Sequence, residues 1–263
     1  MRPDVAAEFA DIGGQRLEYL RIAGNATAPT LVFLHEGLGS VAMWRDFPQR
    51  VADATGHPAL AYSRAGYGRS SPLTAPRGPD YMHAEALSAL PALLDALAID
   101  RPILIGHSDG ASIALVHAGA RVRAVRAVAA IAPHVFVEEL SLTSIAQARH
   151  AYATGDLRRR LARYHADVDS AFLGWNDIWL APEFRAWNIE AFLSGIECPV
   201  LLLQGMDDEY GTLAQIDAIQ HQVAGRVERV ELAACGHSPQ RDQPEATLAA
   251  LARFIAAVAS APA

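Results

Sequence analysis

Three side chains that together can make a nucleophile occur along this chain in one order. Ser108 lies in Gly106-His107-Ser108-Asp109-Gly110, after the apolar run Ile103-Leu104-Ile105 and before the apolar stretch Ala111-Ser112-Ile113-Ala114-Leu115. A G-x-S-x-G turn between a strand and a helix puts a serine on a sharp bend, its hydroxyl exposed at the end of a sheet. Gly106 and Gly110 leave room where the chain turns tightly, and the helix N-terminus behind Ser108 favours developing negative charge. A serine hydroxyl is a poor nucleophile near neutral pH. It needs a base within hydrogen-bond reach and a third group to orient that base. His237, in Cys235-Gly236-His237-Ser238-Pro239, is the candidate base. The acid lies in Gln204-Gly205-Met206-Asp207-Asp208-Glu209. Asp208 is preferred over Asp207, and the remaining aspartate serves as an acidic cap on the following helix.

The elements that must carry these residues follow from hydrophobic periodicity. Gln15–Ile22 reads as an edge strand, Thr30–His35 as a buried strand, Met43–Ala54 as a helix and Ala59–Ser63 as a strand. Arg64 to Pro72 is a glycine-punctuated loop, and Tyr81–Leu97 is a helix that Pro91 can kink. Pro102–His107 is the strand before Ser108, Asp109–Ala118 its helix, and Val125–Ala132 the next buried strand. Strands alternating with helices imply a parallel sheet. From Pro133 to about Gly195 the rhythm changes to helices over Glu138–Thr154, Leu157–Ala166 and Val168–Trp179, with Arg158-Arg159-Arg160 on a solvated face. Alternation resumes with Val200–Gln204, Leu213–Val223, Val227–Leu232 and the helix Pro244–Val258. The division expected is a core of residues 1–132 and 196–263 with a helical insertion at 133–195, lying over the catalytic edge of the sheet.

Composition narrows the class. With 22 basic against 29 acidic residues, a net charge of −7, the chain is not suited to nonspecific nucleic-acid binding and offers no basic face to a membrane. No uncharged apolar run reaches the length of a membrane span, and the N-terminus lacks the basic-then-apolar order of a signal peptide. Cys198 and Cys235 are too few for a disulfide framework and read as reduced core thiols of a cytoplasmic protein. No histidine shows metal-ligand spacing. His35-Glu36 opens like a zinc-protease helix, but Gly39 stands where a second histidine would be needed. Neither a metal nor a cofactor is expected, and the partner expected is a small-molecule substrate.

Taken together, the strand ending in His35 with its glycine loop, Gly66-Tyr67-Gly68-Arg69-Ser70, the turn at Ser108, Gly205 to Asp208 and Gly236-His237 resemble the α/β-hydrolase fold family. The resemblance implies an α/β fold: a mostly parallel eight-stranded sheet flanked by helices, with a helical cap inserted after the sixth strand. It also implies an oxyanion hole of two backbone N–H groups, one from Asp109 and the other from Gly37 or Leu38. A backbone donor of this kind is worth about 3 kcal/mol of transition-state stabilisation. The activity implied is hydrolysis of a small, partly apolar carboxylic ester, or an amide, through an acyl-enzyme on Ser108, Asp208 and His237. Carbon–carbon bond hydrolases and cofactor-free perhydrolases of the family use the same triad, and a receptor that binds without turnover is the alternative of another class. Glu36 and Asp109 are unusual so near an oxyanion. Either Glu36 pairs with Arg64 and Asp109 with backbone donors, or these carboxylates recognise a substrate group. Trp175 and Trp179, four residues apart on one helical face, are either core packing or an apolar wall of the pocket.

Overall fold

In the computed structural model, which describes residues 7–259, eight strands form one sheet. They are β1 (Glu8–Ile12), β2 (Gln15–Ile22), β3 (Leu31–Leu34), β4 (Ala59–Tyr62), β5 (Ile103–His107), β6 (Ala127–Ile131), β7 (Val200–Gly205) and β8 (Val227–Leu232). Their spatial order is β1-β2-β4-β3-β5-β6-β7-β8. The β1–β2 and β2–β4 pairs are antiparallel and all others are parallel. Every residue of β3 to β7 is buried, as apolar strands covered on both faces must be. Alternate residues feed two cores. Phe33, Ile105 and Leu203 pack on one face with α1 (Phe47–Thr55) and the C-terminal helix; Leu34, Leu104 and Leu202 pack on the other.

The helices on that second face include α2 (Tyr81–Ala84), α3 (Leu90–Ala96) and α4 (Asp109–Ala120). From Asp109 to Ala118, α4 is buried on every side, which accounts for a helix with almost no polar face. Between β6 and β7 come α5 (Glu139–Thr154), α6 (Leu157–Leu161), α7 (Val168–Leu180) and α8 (Glu190–Leu193). Trp175, Trp179, Phe184 and Trp187 from this segment join the second core. Arg158 to Arg160 are exposed and pair with Asp156 and Asp169. After β7 follow α9 (Ala214–Gln222), α10 (Pro239–Asp242) and α11 (Pro244–Ala259). Residues 1–6 and 260–263, the outer ends of the expected core, lie outside the described residues. Among the described residues no helix is long and apolar enough to cross a membrane.

The structure corrects several expected elements. Gln15–Ile22 is not the edge, because β1 pairs along it from Glu8 opposite Tyr19 to Ile12 opposite Gln15. The two-residue turn is Gly13-Gly14, both at positive φ, which is the backbone a tight hairpin demands. The single helix expected over Met43–Ala54 divides into a 3₁₀ turn, Val41–Trp44, and α1, with Arg45 at φ 54° between them. Tyr81–Leu97 is interrupted by a π turn at Glu85–Ala89, placed where Pro91 of α3 cannot donate to the preceding turn. The helix expected over Leu157–Ala166 stops at Leu161.

One of the tightest approaches in the fold lies between α4 and β3. A Cβ at Gly110 would sit 2.1 Å from the Leu34 carbonyl oxygen, and one at Gly106 would sit 2.3 Å from the Gly110 carbonyl oxygen. Both obstacles are backbone and cannot swing aside. Gly110→Ala is therefore expected to lower unfolding stability by about 2–3 kcal/mol in urea titrations. An unchanged midpoint would show that α4 is free to slide away from β3.

Candidate active site

Ser108 is the hinge between β5 and α4. Its backbone sits at φ 53° and ψ −120°, a conformation that costs an L-residue about 1–3 kcal/mol. The surrounding bonds hold it there. Ser108 N–H donates to the Ile131 carbonyl at 2.9 Å, and the N–H groups of Ala111 and Ser112 donate to the Ser108 carbonyl at 2.8 and 3.0 Å. Strained side-chain placement at a strand-to-helix bend is the arrangement that G-x-S-x-G predicts.

His237 lies beyond β8, before α10, with Nε2 2.9 Å from Ser108 Oγ. Its Nδ1 lies 2.8 Å from Asp208 Oδ2 and 2.9 Å from Oδ1. Asp208 follows β7 and also accepts from Gln204 Nε2 at 2.7 Å and from the N–H groups of Tyr210 and Gly211 at 2.8 and 3.2 Å. Burial pushes this carboxyl up, but the bond to His237, the field of that ring, the Tyr210 N–H and His134 together outweigh it, and Asp208 stays below the ordinary carboxylate range. A carboxylate only accepts, so His237 Nδ1 carries the proton and the Nε2 lone pair faces the Ser108 hydroxyl. Of the two aspartates weighed from the sequence, the structure brings Asp208 to His237. Asp207 is exposed and bonds through its backbone to Cys235.

The loop after β3 borders the same space. Gly37 and Leu38 are the central residues of a turn closed by the Gly39 N–H on the Glu36 carbonyl at 3.1 Å. Two further donors converge on that carbonyl: His35 Nδ1 at 2.7 Å and Arg64 Nη2 at 3.1 Å. Arg64 also donates from Nη1 to the His35 carbonyl at 2.6 Å, and its backbone N–H donates to His35 Nε2 at 3.1 Å. Burial and the neighbouring Arg64 hold His35 well below its ordinary range, so the ring is neutral. In a trans amide the C=O and N–H point in opposite directions. Fixing the Glu36 carbonyl therefore also fixes the Gly37 N–H, which belongs to the same amide.

For both acidic residues the structure excludes the pairings that formed one of the two alternatives open in the sequence. Glu36 does not pair with Arg64 through its side chain; Arg64 takes the backbone carbonyls instead. Asp109 does not bond backbone donors. Its Oδ2 accepts from the Tyr81 hydroxyl at 2.6 Å and lies 3.8 Å from Arg64 Nη2, with both charged side chains out of solvent. Tyr81 in turn accepts from Trp179 Nε1 at 3.0 Å. Burial raises the Asp109 carboxyl above its ordinary range, against the pull of Arg64 and Tyr81.

Ser108, His237 and the loop after β3 border a cavity of about 300 Å³. Its polar side includes Glu36, His107, Ser108, Asp109, His134 and His237; its apolar side includes Leu38, Met43, Ile145, Leu157, Leu161, Trp175 and Trp179. Both roles weighed for the tryptophans apply at once, since each is buried in the core and each borders the cavity. Trp175 lies so close over Gly37 that a Cβ there would be 2.2 Å from the indole nitrogen. The sequence did not single out His107 or His134. His107 Nε2 donates to the His237 carbonyl at 2.7 Å. His134 packs edge-on against Trp179, and burial beside His237 takes its pKa down to about 3. Strand order could have indicated Arg64: β4, β3 and β5 are neighbours, so the residues after each meet at one edge of the sheet. Cys235 is buried and its thiol is pushed up to about 11 by burial, which suits packing and not reactivity. Among the described residues no group of three or more His, Cys, Asp or Glu side chains is arranged to hold a metal ion.

A family model described as the alpha/beta hydrolase family matches residues 31–251. The chain belongs to that family. It is 30% identical over 109 residues to the sn-1-specific diacylglycerol lipase ABHD11 of Mus musculus, covering 41% of this chain and 34% of the lipase. It is 35% identical over 101 residues to a proline iminopeptidase of Levilactobacillus brevis, covering 38% of this chain and 33% of that protein. The chain thus spans about a third of the length of these two curated relatives. The enol-lactonase structure from Burkholderia xenovorans LB400 superposes with a TM-score of 0.75 at 23% identity, covering 95% of this chain and 100% of the other. At that identity the match shows a shared fold. As an alpha/beta hydrolase, the chain carries its candidate residues where the strands of such a sheet end.

The Arg64–Asp109 contact supplies a test of this wiring. Arg64→Met leaves a buried carboxylate without its cation and is expected to cost about 3–5 kcal/mol in stability. Adding Asp109→Asn should return part of that loss in a double-mutant cycle. Independent, additive losses would mean that the two side chains do not interact.

Proposed function

We propose that this alpha/beta hydrolase cleaves a small, partly apolar carboxylic ester through an acyl-enzyme on Ser108. One observation carries the reading: the unbroken hydrogen-bonded chain Ser108 Oγ, His237 Nε2, His237 Nδ1, Asp208 Oδ2, at 2.9 and 2.8 Å, facing a cavity of about 300 Å³. His237 takes the Ser108 proton as Oγ attacks the ester carbonyl, and Asp208 stabilises the imidazolium that forms. The carbonyl oxygen becomes an oxyanion, for which the N–H groups of Asp109 and Gly37 are the proposed donors. Collapse transfers the proton from His237 to the departing alkoxide. Water, deprotonated by the same imidazole, then attacks the acyl carbonyl and regenerates Ser108.

Cavity size and lining support the substrate class. A space of about 300 Å³ is at the small end for ligand sites, and Ile145, Leu157, Leu161, Trp175 and Trp179 give it an apolar wall. All five residues come from α5, α6 and α7, so we assign residues 133–195 the role of a cap over the site. An amide is accepted by the same residues where His237 can protonate the departing nitrogen, and one relative is an iminopeptidase. Free Cys198 and Cys235 suit a reducing, cytoplasmic setting.

Turnover of short aryl esters tests the assignment. Ser108→Ala is expected to lower kcat about 10⁴-fold or more while the circular dichroism spectrum and unfolding midpoint stay near wild type. Asp208→Asn should cost about as much, and Asp207→Asn little, because only the former leaves His237 in the wrong tautomer. Wild-type turnover in Ser108→Ala, or a larger loss at Asp207 than at Asp208, would refute the assignment.

A further inference from the structure

We infer that Glu36 is a specificity carboxylate that binds a protonated amine on the alcohol half of the ester, an inference that rests on the Ser108 hydrolase reading. Glu36 lines the cavity at 22% side-chain exposure. Arg64, the cation bonded to its loop, is occupied by the carbonyls of His35 and Glu36 and by Asp109. His107 Nδ1 lies 3.5 Å from Oε2, at the outer limit of a hydrogen bond, and 3.0 Å from Gln240 Nε2. The carboxylate is therefore placed in the wall with only a loose partner.

Its place is built into the backbone. A Cβ on Gly39 would sit 2.4 Å from Glu36 Oε2, so glycine at that position is what lets the carboxylate fold back over the loop. The charge persists at neutral pH: burial opposes it, but the nearby His107 and His35 rings and the Glu36 backbone N–H together outweigh burial and take the carboxyl from 4.5 down to about 2. A second acceptor in the same wall, Asp109 Oδ1, is buried with no hydrogen-bond partner. The cation on the cavity lining, Arg241, is exposed at the rim, where solvent weakens its field. The interior field therefore favours a positive ligand group over a negative one.

The position fixes which half of the substrate is read. Glu36 reaches toward His107, whose Nε2 donates to the His237 carbonyl and whose ring lies 5.2 Å from that of His237. His237 returns its proton to the leaving oxygen, so groups gathered beside it face the alcohol half. The apolar acyl half is left to Trp175 and Trp179. A charge-assisted hydrogen bond in such a site is worth about a tenfold to hundredfold preference.

Three aryl acetates of similar shape test this: 4-(dimethylaminomethyl)phenyl acetate, 4-isobutylphenyl acetate and 4-(carboxymethyl)phenyl acetate. At pH 7 the wild type should favour the ammonium ester over its neutral isostere by about tenfold or more in kcat/KM and should disfavour the carboxylate ester. Glu36→Gln should bring the ammonium-to-neutral ratio close to one. Because the readout is a ratio, a general loss of activity in the variant does not imitate the effect. The wild-type order alone decides the matter if the variant does not fold. Hydrolysis of the neutral ester through Ser108 with no preference for the ammonium, or with preference for the carboxylate, overturns the Glu36 inference and leaves the serine reading standing. No hydrolysis of any of the three, with Ser108 inert to a fluorophosphonate, overturns both.

Discussion

Much of this molecule depends on how closely α4 approaches the end of β3. Gly110 rests against the Leu34 carbonyl and Gly106 against Gly110, distances at which no side chain fits. That contact pins the strained turn at Ser108 to the loop beginning at His35. Without it the hydroxyl and the Gly37 amide would have no fixed relation. α4, which follows β5, supplies one side of the contact and β3 the other; β3 and β5 are adjacent parallel strands, so both loops leave the sheet at the same edge. The strain at Ser108 is then borne by a buried, densely hydrogen-bonded region and not by a mobile loop.

Arg64 supports this arrangement from below. It has no contact with solvent, a costly position for a cation. Three acceptors make the position tolerable: the carbonyls of His35 and Glu36, and the Asp109 carboxylate. The same contacts orient the Gly37 amide and set a positive charge 3.8 Å from the Asp109 carboxylate. Through Tyr81, the Asp109 carboxylate is joined to Trp179 of α7. The helical segment over the sheet is thus hydrogen-bonded into the wall that surrounds Ser108, which couples the apolar side of the cavity to the polar one.

The parts of this design legible in the sequence are those set by local chain geometry. The turn at Ser108 is announced by two glycines at fixed offsets between an apolar strand and an apolar helix. His237 and Asp208 are found because each follows a strand. Parallel strands read well because burial on both faces leaves uninterrupted apolar runs. What was misread depends on choices among partners across loops. Proximity of Glu36 and Arg64 suggested an ion pair, but a guanidinium has five donors and the nearby carbonyls compete for them. Backbone donors are one of two readings the sequence leaves for Asp109, and Tyr81, distant in sequence, supplies the bond instead. Strand β1 was missed although Gly13-Gly14 marks its hairpin, because Glu8–Ile12 has a weak apolar alternation. The readings of Trp175 and Trp179 as core or as wall were not true alternatives, since one indole has two faces.

The account turns on whether Ser108 is an activated nucleophile in a cavity that small electrophiles can enter. Intact mass after incubation with a small fluorophosphonate, followed by mapping of the modified peptide, measures this directly. The account predicts one adduct per chain, on Ser108, with labelling strongly slowed in His237→Ala. A folded protein that stays unmodified, or one modified at another residue, would contradict it.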